Sequence, residues 1–324
     1  MTTNLTTTFA GLTLKNPIIA AASPMTATAE QCRELEKAGV AAIVIKSIFE
    51  QSIAHNAHRL SDHQSHSEES DYLDAYIGEQ MVSEWRLSLR EIKAVTTIPI
   101  IASISCHTNS AWARYAEAAT VEGVDAVELN LINIGLATRT TGLGIIEQQF
   151  VDAINSVRKV TTLPLTVKLA ANITNPMALV ERLMACGVKG VVLFNRPYPI
   201  DIDINKREYL SGHTLSTPSD LSAPLRWTGL LSAELPKVDY ALSGGVHTWQ
   251  DVIKAILAGA SAVEVCSTLY HNGLNYVNTI LENIDKWQQE NHEEGIETYR
   301  GKMNATTERY AEELKRVQYL HFMA

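Results

Sequence analysis

The chain has 324 residues, 46% of them apolar, and carries 36 Asp and Glu against 27 Lys and Arg, a formal net charge of −9. That apolar content can fill a large core, and the acidic balance argues against nucleic acid as the main partner. Cys32, Cys106, Cys186 and Cys266 stand far apart with no CxxC or Cys/His cluster, which argues against a structural metal and fits a reduced, cytoplasmic protein.

The N-terminal MTTNLTTTFAG lacks the basic and apolar regions of a signal peptide. NPIIAAAS (16–23) is strand-like, and TAEQCRELEKAG (28–39) reads as a helix with a Thr N-cap and a Gly stop. AAIVIKS (41–47) is a buried strand, followed by a polar, His-rich stretch over 49–80 that reads as a long loop. IPIIASIS (98–105) leads to a helix over 110–122 ended by Gly123, and DAVELNL (125–131) leads to one at about 145–160. LPLTVKL (163–169) precedes a helix over 175–186 ended by Gly187, and KGVVLFN (189–195) is again a strand. A long region over 196–236 holds Pro197, Pro199, Pro218 and Pro224 and has room for one helix. DYALSGGV (239–246) leads to a helix over 248–258, SAVEVCS (261–267) leads to another over 273–290, and a charged helical tail runs over about 289–324.

The strands are apolar runs without alternation, the mark of parallel strands covered on both faces. Eight βα steps point to an α/β chain folded as one (β/α)8 TIM barrel over 1–324, with long βα loops at the C-terminal face. A doubly wound sheet would want a Gly-rich turn after the first strand, and AAASPMTAT has no GxGxxG. No apolar run reaches the ~18 residues of a membrane span, so no membrane partner is expected.

SGGV (243–246), at the end of strand 7 and before a helix capped by Thr248, lets backbone N–H groups approach a phosphate with the helix dipole in support; it also suits a plain tight turn. Lys46 and Lys168 end two apolar strands, and Asn130 and Asn195 end two more. Four polar side chains at the rim of one barrel form a constellation that fits an imide-like ring, whereas one alone reads as a lysine reaching solvent. His55, His58, His63 and His66 are irregularly spaced among Ser and Glu and read as a solvated mobile loop before a metal site. Cys106 and His107 follow strand 3 and offer a thiol and an imidazole as bases, or simply pack a loop.

NPIIAAAS, VIKS, ELN, VKLA, LFN, LSGGV and AGASAVEV, in this order, resemble the dihydroorotate dehydrogenase family, and ASPMT and KLAANIT resemble segments of the related FMN domain of dihydropyrimidine dehydrogenase. The resemblance runs over about residues 5–290. It implies an FMN-binding barrel, soluble and homodimeric, in which a base takes a proton from a dihydropyrimidine ring while hydride passes to flavin N5. By position, Ala21, Ala22 and Ser23 line the flavin, Lys46 meets flavin and substrate, and Asn130 binds either. Lys168 holds the N1–C2 edge, Asn195 binds substrate, and Gly244 and Gly245, with Cys266 and Ser267, cradle the phosphate.

The sequence departs from that pattern at the substrate side. The family's base position is Asn133, in LINIG, and an amide is no base. Gly135 replaces a second Asn of that loop, the substrate segment after strand 2 is not recognisable in 49–80, and Arg196 follows Asn195 where the family has Ser or Thr. Arg196 adds a positive charge suited to a carboxylated ligand. Three readings follow: dihydroorotate or a similar cyclic CH–CH donor oxidised with a relocated base at Cys106, His107 or in 49–80; a different substrate for the same flavin; or a silent flavin-binding protein.

Overall fold

The computed structural model describes residues 3–50, 68–132 and 142–317. Eight short parallel strands close into a barrel: β3 (Ile18–Ala20), β4 (Ala42–Phe49), β5 (Ile100–Ser105), β6 (Ala126–Leu131), β7 (Leu165–Ala170), β8 (Val188–Asn195), β11 (Asp239–Ser243) and β12 (Ala262–Val265), in that cyclic order. Each apolar run is a strand because both of its faces are covered, by the barrel interior and by a ring of helices; β6 and β7 are buried at every residue. The barrel is therefore an α/β (β/α)8 TIM barrel, as the strand pattern predicts.

The helices start and stop where the sequence signals them. Thr28 caps Ala29–Lys37 by accepting the Gln31 N–H, and Gly39, Gly123 and Gly187 take positive φ after their helices. Apolar stripes on Ala29–Lys37, Asn109–Val121, Ile145–Arg158 and Pro176–Ala185 pack on the barrel wall, with Leu35, Ala116, Ile154 and Val180 at most 1% exposed.

Three features differ from the expectation. A 28-residue helix, Glu68–Val95, begins well inside the stretch read as loop. Its opening EESD masks the apolar period, yet acidic residues suit a helix N-terminus. The region after β8 forms an antiparallel hairpin, β9 (Ile200–Asp203) with β10 (Glu208–Ser211), before the helix Ser222–Glu234. A second hairpin, β1 (Thr7–Phe9) with β2 (Leu12–Leu14), plugs the N-terminal end of the barrel. Phe9 is fully buried there, and a Cβ on Gly190 would stand 2.9 Å from its ring, so the glycine makes room for the plug.

The tail folds against its own barrel. Gly301 N–H donates to Ile256 O, Met303 N–H to Leu257 O and Ala305 N–H to Gly229 O, tying it over the helices Trp249–Leu257 and Ser222–Glu234. With the N-terminal end closed, the accessible end of the barrel is the C-terminal mouth. No helix among the described residues is long and apolar enough to cross a membrane.

Candidate active site

At that mouth the ends of β3, β11 and β12 surround a cavity of about 590 Å³. Ala21 and Ala22 follow β3, and the small side chains leave the space open. Ser23 turns the chain away by capping Pro24–Thr26: its Oγ accepts the Met25 N–H at 3.3 Å. Opposite stand Gly244 and Gly245, with φ of +94° and +73°. Neither of their N–H groups has an acceptor among the described residues, although Gly245 is buried. A Cβ on Gly245 would lie 2.1 Å from Leu221 N, so glycine alone lets the loop over 216–221 close here. Cys266 and Ser267 complete the wall, and Ser267 Oγ accepts the Ser216 N–H at 2.8 Å. Free N–H groups beside hydroxyls are the chemistry of an anion cradle.

The helix Trp249–Leu257 places no residue in the wall of this cavity. The N–H groups just before it, of Thr248 and His247, donate to Asp251 Oδ2 at 3.0 and 3.2 Å, and the Thr248 hydroxyl donates to the same oxygen. The diglycine turn is what remains open to a phosphate.

A second cavity, of about 440 Å³, adjoins the first; Ala22, Lys168, Asn195 and Arg196 line both. Asn130, at the end of β6, accepts a hydrogen bond from Asn195 Nδ2 on its Oδ1. Arg196 Nη1 donates to the carbonyls of His213 and Thr214 at 2.6 and 2.8 Å, which pins the loop that walls the first cavity. Its remaining N–H groups have no further acceptor among the described residues, and five donors let one guanidinium serve both duties. Lys46 is not brought to this site: the β4–β5 register shifts between Ile45 and Ile48, Lys46 is exposed, and it lines neither cavity. Ser47 lines the second cavity instead, its hydroxyl 2.7 Å from that of Ser103.

Beneath both cavities lies a buried trio. Lys168 Nζ stands 2.6 Å from Glu264 Oε2, with Lys168 8% and Glu264 2% exposed. Glu128 is fully buried; its oxygens meet no N–H or hydroxyl donor among the described residues, and the carboxyl of Glu264 is its hydrogen-bonding neighbour. Burial first, and then the charge of Glu264, push the Glu128 carboxyl well above the usual carboxylate range, against the pull of Lys168. Burial by itself would lower the Lys168 ammonium, but Glu264 and Glu128 outweigh it and the group is raised. Lys168 is thus a charged, fixed cation where the two cavities meet.

Cys106 is buried and does not line the second cavity; it faces a third cavity of about 200 Å³ with Trp112 and Leu131, which His107 also lines. Burial, then the charge of Glu50, push its thiol up, which weighs against a thiolate base. His107 lines the second cavity, and its backbone N–H is held by Glu50 Oε2 at 2.6 Å. Asn133, Gly135 and the four histidines of 55–66 lie outside the described residues.

Sequence reasoning missed Glu264, Glu128, Ser47 and Ser103. The first two carried a signal: VEV and VEL each place a carboxylate inside a buried apolar strand, where it needs a cation or a proton.

The family model described as Dihydroorotate dehydrogenase matches residues 4–288. Among similar proteins, "Dihydroorotate dehydrogenase B (NAD(+)), catalytic subunit" of Desulforudis audaxviator is 28% identical over 79% of this chain and 83% of its own length. The protein of the same name from Pyrococcus abyssi is 29% identical over 86% of this chain and 92% of its own. "Dihydroorotate dehydrogenase A (fumarate)" of Lactobacillus helveticus is 27% identical over 60% of this chain and 64% of its own.

Proposed function

The chain belongs to the dihydroorotate dehydrogenase family, and from that premise we propose that it is an FMN-dependent oxidoreductase acting on dihydroorotate or a related cyclic CH–CH donor. The observation that carries this reading is the pair of abutting cavities that share Lys168 and Asn195, one of them ending in a diglycine turn whose N–H groups have no acceptor among the described residues. The residues fit FMN: Gly244, Gly245 and Ser267 suit its phosphate, Ala21, Ala22 and Ser23 leave room for a flat ring, and Lys168 suits a ring edge that gains negative charge. Bound FMN supplies the redox chemistry, accepting a hydrogen and its electron pair from a C–H bond.

The protein's part is to bind, orient and move a proton. Asn130 and Asn195 present amide donors and acceptors to an imide-like ring in the second cavity. Arg196 offers unspent N–H groups to a carboxylate. His107 is the side chain placed to accept a proton there: it lines the second cavity, whereas the Cys106 thiol does not line it and is held protonated by its burial. We further propose self-association as a homodimer, supported by the exposed apolar residues of the β9–β10 hairpin.

The test is a visible spectrum of the purified chain followed by anaerobic addition of dihydroorotate. Flavin absorbance that bleaches supports the reading. Bound flavin that stays oxidised with dihydroorotate but is bleached by another donor favours a changed substrate, the second reading, which the Asn133 and Arg196 departures support. A chain that neither holds nor takes up FMN overturns the cofactor. His107→Ala should slow the bleaching by about 10²–10⁴-fold, while Cys106→Ala leaves it unchanged; a His107→Ala rate equal to wild type removes His107 as the base.

A further inference from the structure

The proposed reaction uses Lys168 but leaves two buried carboxylates without a task. Glu128, Lys168 and Glu264 come from β6, β7 and β12, and together they hold one cation and two carboxyls beneath the cavities. We propose that the Glu128–Glu264 pair is a proton acceptor linked to the cofactor: it takes up one proton when the flavin beside Lys168 gains negative charge, so that reduction of the bound flavin consumes two protons per two electrons. The inference rests on the FMN reading.

The charge count carries the argument. With both carboxyls ionised the trio holds a net negative charge in a medium that solvates it poorly. One retained proton makes it neutral. That proton belongs on Glu128, which meets no N–H or hydroxyl donor among the described residues and whose protonated carboxyl can hydrogen-bond to Glu264, whereas Glu264 Oε2 receives the Lys168 ammonium at 2.6 Å. The raised affinity of Glu128 for its proton agrees with this assignment. New negative charge in the cavity above competes with Glu264 for the single ammonium. As Lys168 turns toward that charge, the two buried carboxyls are left sharing a negative charge without their cation, and the pair binds the next proton.

Atoms and electrons balance as follows. Two electrons enter the ring from an added chemical reductant, one proton goes to the ring and one to a carboxylate oxygen, and Lys168 stays protonated throughout. The other elements around the trio add few titratable groups. The segment after β12 adds Cys266 and Tyr270, and the rim of the second cavity adds His107, Arg196 and Tyr198. β4 and β5 offer the hydroxyls of Ser47 and Ser103, β7 that of Thr166, β11 that of Ser243, and β8 the amide of Asn195.

The experiment is a dithionite titration of the FMN-loaded full chain, with the flavin midpoint potential followed from neutral to mildly alkaline pH. The slope reads the protons taken up per two electrons. Wild type should take two, and the isosteric Glu128→Gln/Glu264→Gln double variant should take one. A wild type that takes one, or a double variant that still takes two, overturns the inference. A second readout needs no variant: the reduced-minus-oxidised infrared difference spectrum should gain a protonated-carboxyl C=O band, and its absence overturns the inference as well. A chain that binds no FMN overturns the cofactor reading and this inference with it; FMN bound with a one-proton slope and no such band overturns the inference alone.

Discussion

At Gly245 a single methyl group decides whether the cradle can close. A Cβ there would stand 2.1 Å from Leu221 N and 2.7 Å from Asp220 C, both backbone atoms, so the loop over 216–221 would have to move. On the proposed FMN reading, Gly245→Ala should therefore lose the flavin on purification. Gly123→Ala is the control: its φ is also positive, at +75°, but no heavy atom lies within 4 Å of the added Cβ. It should cost about 1–2 kcal/mol of backbone strain and leave flavin content intact. Absorbance of the purified variants, read beside their thermal melts, checks both; a Gly245→Ala chain that keeps its flavin would move the phosphate away from the diglycine turn. At this scale the sequence was legible where chemistry is local. SGGV reads as a cradle because only glycine tolerates that backbone. Lys46 was not legible, because a register shift in β4 turns the chain between Ile45 and Ile48 and puts Ser47 into the cavity instead.

The β9–β10 hairpin shows what an element adds. Cross-strand pairing places Tyr209 opposite Ile202, and both side chains are solvent-exposed, at 81% and 54%, beside Ile200 at 67%. A two-stranded hairpin in water is marginal by itself, and a contiguous apolar face of this kind marks a contact surface. A second copy of the chain is the expected cover. Sedimentation of the wild type should then show a dimer, and Ile202→Asp with Tyr209→Ser should give monomers that retain the barrel's circular dichroism. A wild type that sediments as a monomer at every concentration would remove the proposed homodimer. The hairpin was hidden in the sequence because Pro197 and Pro199 announce a loop, and IDIDINKREYLS alternates too briefly to stand out. The eight barrel strands were legible for the opposite reason: each is an unbroken apolar run, a pattern that requires cover on both faces.

Across the whole molecule, carboxyls with opposite displacements shape how stability follows pH. Glu122 is held low, first by its hydrogen bond to Arg90 and, against burial, by Arg86; these contacts tie Glu68–Val95 to the end of Asn109–Val121. Its contribution is present above the unfolded carboxylate pKa and is lost as pH falls through the lowered folded value. Glu128 runs the other way. Its folded affinity for a proton is raised by burial and by Glu264, so the unfolded chain releases this proton first as pH rises. The stability tied to that proton is full below the unfolded pKa, about 4.3 for Glu, and declines as pH climbs toward the raised folded value. Asp239, raised chiefly by burial although the Ala10 N–H bonds it, adds a slope of the same sign. Replacing Glu128 by Gln removes the titration and keeps the shape. Glu128→Gln should therefore gain stability relative to wild type as pH rises from acid to neutral, with the difference in melting temperature growing across that range. A difference that stays constant with pH would mean that Glu128 titrates alike in the folded and unfolded chains, and its burial beneath the cavities would then carry no proton.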